Sequence, residues 1–142
     1  MDKRCFYCGC KYHATRSDQL YCSKRCRYKD HHRGDMILTL KGKWFNMIFS
    51  GVKLEEYREI KPYWGKRFLN YYGMHYDFSQ EKYIWNNKKK DIIFRNGYGK
   101  DKPSFVAECT ISEGYGNTNW GAEEKQKYYI LKIHRIYGEN NM

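Results

Sequence analysis

The stretch WFNMIFSGVKLEEYREIKPYWGKR, residues 44–67, decides how this chain folds. Trp44, Phe45, Met47, Ile48 and Phe49 recur at helical spacing between Gly42 and Ser50, and Gly51 follows as the glycine that ends a helix. Lys53 to Ile60 then alternates in the manner of a strand. Leu54, Glu56, Arg58 and Ile60 fall on one face, and Lys53, Glu55, Tyr57 and Glu59 on the other. Pro62 opens a second helix through Leu69, with Trp64 and Phe68 one turn apart.

Working outward, Met36–Leu40 reads as a short strand ahead of the first helix. Residues 73–90 are polar and aromatic without a clear period, which predicts an insertion or long loop. Three further strands are expected over 91–95, 104–112 and 128–137, with Cys109 packed in the core. Strand, helix, strand, helix and then several strands imply an α+β fold, a small curled sheet with helices at its edges.

The first quarter of the chain has a different character. Cys5-x2-Cys8-x13-Cys22-x3-Cys26 has the spacing that one tetrahedral Zn²⁺ requires. Gly9 suits the positive φ of a knuckle, and Cys22 and Cys26 lie one turn apart at the start of a helix expected over 23–33. Backbone N–H groups at a helix N-terminus favour the thiolate, the form that binds metal. Cys10 and His13 are alternatives to Cys8. His31 and His32 read as an exposed polar helix end. The arrangement is that of a treble-clef-like zinc finger over residues 1–34, and a polar stretch closing on Gly34 and Asp35 links it to a second domain over 36–138.

Composition limits the function. The 142 residues carry 27 Lys and Arg against 16 Asp and Glu, a formal charge of +11, divided as +5 over residues 1–35 and +6 over the rest. Both parts are basic, which favours a polyanionic partner over a single charged tail. Aromatic residues make up 18% of the chain, with 15 Tyr and 4 Trp, suited both to filling a small core and to stacking on bases. No apolar run approaches the roughly 20 residues of a membrane span. Without a signal peptide and with metal-binding rather than disulfide-forming cysteines, a cytoplasmic protein is expected.

Residues 44–67 resemble the signature of ASCH domains, relatives of the PUA fold: a helix ending in Ser-Gly-x-Lys and then a strand with Glu-x-Arg. IIFRNGYG at 92–99, FVAECTI at 105–111 and NWGAEEKQKYYILKIHRIY at 119–137 agree with that pattern. Residues 5–30 separately resemble small bacterial and phage zinc fingers. The resemblance implies a small PUA-like β-barrel with a cleft lined by Lys53, Glu56 and Arg58. It also implies a partner that is nucleic acid, RNA more than DNA, or a nucleotide or modified nucleoside. Some ASCH proteins are hydrolases on modified nucleosides, with a Lys-x-x-Thr-x-Arg motif. Here Glu56 stands in place of the threonine, so Lys53 and Glu56 would carry acid–base work only if the chain were such an enzyme.

The residues support a site independently of the family. Glu56 and Arg58 project the same way from one strand. Arg58 offers a planar fork to phosphate or guanine, Glu56 can accept from an exocyclic amine, and Lys53 is expected on the rim as a phosphate contact. An internal ion pair that orients barrel and helix is the alternative. Trp64 is either a cleft wall or core, and Arg67 either faces phosphate or caps its helix. Arg95 completes the expected nucleic-acid contacts. Lys88-Lys89-Lys90 is a solvated turn or a backbone track, Asn96–Gly99 a turn, and Asn119–Gly121 a loop that covers the cleft or packs its tryptophan.

Overall fold

A computed structural model describes residues 1–6, 9–31, 36–99 and 101–142, with the backbone alone for 28–31. The chain divides into two compact units, Met1–Asp35 and Met36–Met142. In the first, strands β1 (Asp2–Arg4) and β2 (Lys11–His13) form an antiparallel pair, Asp2 opposite His13. Gly9 turns the chain between them at φ +76°. Helix α1 spans Lys24–His31. Ser23 caps it, its Oγ accepting from the Cys26 N–H at 3.1 Å. His32 and Arg33, expected to extend this helix, lie outside the described residues, as do Gly34 and Asp35 of the expected linker.

The second unit is α+β. Strands β3 (Met36–Leu40), β4 (Glu55–Glu59), β7 (Lys90–Asn96), β8 (Ser104–Tyr115) and β9 (Lys127–Asn140) form one sheet in the order β3-β7-β8-β9-β4. The β3–β7 pair is parallel and the others are antiparallel. Helices α2 (Gly42–Phe49) and α3 (Pro62–Tyr72) flank β4 in sequence. Gly51, at φ +84°, follows the end of α2 as its sequence position predicts. At Gly65 a Cβ would stand 2.8 Å from the Tyr129 hydroxyl oxygen, so the absence of a side chain lets α3 lie close on β9.

Two register shifts between β8 and β9, near Ser104–Val106 and Glu108–Cys109, sharpen the twist of the longest pair. The sheet curls until its two edge strands face each other. The Arg58 Nη2 on β4 donates to the Thr39 carbonyl on β3 at 3.2 Å, so a side chain rather than a backbone ladder joins the edges. Inside the curl lies the main core, with Leu38, Phe45, Phe68, Phe94, Phe105 and Leu131 fully buried and Cys109 among them. Tyr57, Tyr128, Ile130 and Ala122 form a second cluster on the opposite face of β4 and β9, against which Trp120 packs. Trp120 therefore takes the packing role of its two sequence readings.

Residues 73–90 are not a loop. They form a hairpin of β5 (Met74–Asp77) and β6 (Lys82–Trp85), with Tyr76 opposite Tyr83. The sequence concealed it because the hairpin leaves aromatic residues exposed, so no apolar–polar alternation develops. Among the described residues, no helix is long and apolar enough to cross a membrane.

Candidate functional site

Two side-chain constellations carry chemistry, one in each unit. In the first, the sulfurs of Cys5, Cys22 and Cys26 all lie within 4.8 Å of one another. Cys22 and Cys26 are 3.6 Å apart, near the roughly 3.8 Å separation of two sulfurs on one tetrahedral zinc at ~2.3 Å each. Cys5 is buried and follows β1, and its backbone N–H donates to the Cys10 carbonyl at 2.8 Å. The β-hairpin thus presents Cys5 to the start of α1, and the three cysteines can hold a metal ion. Cys8, the expected fourth ligand, lies outside the described residues. His13 instead faces Asp2, its Nδ1 3.3 Å from the carboxylate, and Cys10 is exposed.

The second constellation sits where the sheet edges meet. Glu56 is 4% exposed, and each of its carboxylate oxygens holds a cation. Oε1 accepts from the Lys53 ammonium at 2.7 Å, and Oε2 accepts from Arg58 Nη1. Sequence alternation put Lys53 on the face opposite Glu56. The strand in fact begins at Glu55, and Lys53 lies in the turn before it, where its backbone N–H bonds the Met47 carbonyl at the end of α2. Freed from strand alternation, its side chain folds back onto Glu56. Lys53 is 2% exposed, so it is a buried partner of the carboxylate and not a rim contact. Burial lowers its pKa below the ordinary lysine value, and the adjacent Glu56 charge offsets part of that effect.

Aromatic rings cover these charges. Lys53 Nζ stands 4.5 Å from the Trp44 ring centroid, and the Arg58 guanidinium carbon 5.2 Å from that of Trp64. Trp64 in turn lies nearly parallel to Phe68 at 5.8 Å, one helical turn on, which seats it partly on the core while its exposed part walls the cleft. Arg67 lies 5.2 Å from the Trp64 centroid and donates to the Tyr63 hydroxyl at 2.9 Å.

A cleft of about 510 Å³ opens above this group. Thr39, Lys41, Trp44, Glu56, Arg58, Tyr63, Trp64, Arg67 and Tyr98 contribute to its lining. Of the residues singled out from sequence, Glu56, Arg58, Trp64 and Arg67 line it, and Lys53 lies beneath. Arg95, on β7 opposite Thr39, is not part of the lining. Trp44, Tyr63, Lys41 and Tyr98 are additions that sequence reasoning missed. Tyr98 stands on the β7–β8 turn between Gly97 and Gly99, both at positive φ, and is 86% exposed. Its signal was an aromatic ring bracketed by glycines in a turn with no packing role.

On the far face of β4 the Tyr57 hydroxyl donates to Glu55 at 2.7 Å and accepts from the Asn117 N–H at 2.8 Å. Burial raises its pKa well above the usual tyrosine value. This fastens the 116–126 loop behind the charged group. Gly121 of that loop, at φ +101°, leaves room for Trp44, since a Cβ there would come to 3.0 Å from the indole. No family model, curated protein or solved structure matches the chain.

Proposed function

We propose that the chain is a nucleic-acid-binding protein, with RNA favoured over DNA. In this reading the curled sheet is a PUA-like barrel of the ASCH type, and the cleft takes one nucleotide or modified base. The observation that carries it is the cleft itself. Its volume falls within the range of small-ligand sites, its walls are aromatic, and its rim is cationic over a fully paired carboxylate. Trp44, Tyr63, Trp64 and Tyr98 offer faces on which a base can stack. Arg67 and Lys41 offer charge to a phosphate. Glu56, held by Lys53 and Arg58, fixes the guanidinium rather than serving as a free base. That favours binding over the alternative of a hydrolase with Lys53 and Glu56 in acid–base roles.

The cysteine unit holds Zn²⁺ in this reading, with Cys8 joining Cys5, Cys22 and Cys26. Thiolate ligands at this spacing suit zinc, and the ion would hold a unit too small for a large core. Its remaining basic side chains add phosphate affinity.

The test is titration of labelled single-stranded RNA, single-stranded DNA and duplexes with the zinc-loaded protein across a salt series. Affinity is expected to fall linearly on a log–log plot, with a slope near −0.7 for each phosphate contacted on a single strand. Single-stranded RNA should rank first, and Arg67→Ala should weaken binding. Binding that is absent at low salt, or indifferent to salt, overturns the proposal.

A further inference from the structure

The β5–β6 hairpin carries three aromatic rings that serve no core. Tyr76 lies 4.9 Å from Phe78 and 5.2 Å from Tyr83, each pair edge to face. Phe78 is 84% exposed and Tyr83 68%. The root of the hairpin is firmly anchored. Trp85 packs against the core with its ring 6.1 Å from that of Tyr129, and its indole N–H donates to Glu113 at 2.9 Å. The outer rings are thus held out on an arm whose base is fixed. A contiguous exposed apolar patch of this kind marks a contact surface.

The balance of charge around it favours a polyanion. Lys82, Lys88 and Lys89 are exposed on or beside the hairpin. Of the two acidic residues at its turn, Asp77 is occupied internally and Glu81 is exposed beside Lys82, so the cations stay in excess. One Asp77 carboxylate oxygen accepts from the Ser79 N–H and hydroxyl, and the other from the Gln80 amide. Helix α3, which leads directly from the cleft to the hairpin, has Lys66 and Arg67 and no acidic residue. Tyr63, Lys66 and Asn70 are exposed at spacings of three and four, so one polar, cationic face runs the length of the helix. Its 11 residues span about 16 Å.

We infer that the hairpin is a stacking platform for unpaired bases of a single strand, another nucleotide of which occupies the cleft, the backbone crossing α3 between them. Aromatic faces with flanking cations bind single strands with little regard to sequence, because every base presents a π face. The inference rests on the nucleic-acid reading of the cleft and extends it from one nucleotide to a tract.

Labelled 12-nucleotide oligouridylate and an unlabelled trinucleotide competitor, uridine throughout, test it on the full zinc-loaded chain. Against wild type, Y76S/F78S/Y83S should bind the 12-mer at least about tenfold more weakly, since each stacked base contributes ~1–3 kcal/mol. Its affinity for the trinucleotide, which fills the cleft alone, should stay within about twofold. F78L keeps an apolar side chain at a position too exposed to affect folding, yet lacks the π face, and should also weaken the 12-mer. Unchanged 12-mer affinity in both variants, with wild type binding normally, overturns the platform and leaves the cleft reading intact. A wild-type protein that binds neither oligonucleotide overturns both.

Discussion

Arg58 and Thr39 join the two edges of the sheet, the guanidinium of one donating to the backbone carbonyl of the other at 3.2 Å. The same guanidinium bonds the buried Glu56 carboxylate, so one side chain closes the curl and carries the charge balance at the foot of the cleft. Arg58→Lys keeps the charge but loses the fork that reaches both partners. We expect a loss of about 1–3 kcal/mol in denaturant unfolding and faster hydrogen exchange along β3. Unchanged exchange at the β3 edge would show that the bridge does not hold the strands together.

Lys53 is a sharper probe of the same group. Lys53→Met preserves much of the stem volume against Trp44 but leaves one Glu56 oxygen buried without its cation. Breaking a buried pair from one side costs about 3–5 kcal/mol. The double change Lys53→Met/Glu56→Gln should recover part of that loss, because the stranded charge is gone. A double variant no more stable than the single one contradicts this account.

Metal removal should act on the first unit alone. Chelation is expected to strip metal from the cysteine cluster and collapse the NMR dispersion of residues 1–31, while the thermal transition of Met36–Met142 persists. Cys22→Ser should reproduce the effect without chelator. Retention of structure in residues 1–31 after complete metal loss would mean that the cysteine cluster is not what folds this unit.

The Tyr72 hydroxyl, buried in the main core, donates to the Cys109 carbonyl at 2.8 Å. Burial first, and then the nearby Cys109, Tyr71 and Asp91, raise its pKa far above the ordinary tyrosine value. A raised folded pKa means that the native state keeps its proton when the unfolded chain would lose it. The associated stability is complete below about pH 10 and declines as pH rises beyond it. Tyr72→Phe should be about 1 kcal/mol less stable at pH 8, and its stability should fall less between pH 9.5 and 11. Thermal melts with parallel pH profiles for the two proteins would exclude Tyr72 from that titration.

Local pattern alone determined much of this protein. Apolar spacing placed α2, Gly51 marked its end, Pro62 the start of α3, and the short apolar run Met36–Leu40 was readable as a strand. Cysteine spacing foretold that Cys5, Cys22 and Cys26 would converge, since short loops leave few ways to arrange them. Tertiary structure alone decided the rest. Lys53 meets Glu56 because the strand starts two residues later than alternation suggested, which no propensity fixes. The β5–β6 hairpin stayed hidden because its aromatic rings face outward, and hydrophobic periodicity records only burial. Trp44, Tyr63 and Tyr98 come from three separate segments, and they share one cleft only once the curling sheet brings β3 against β4.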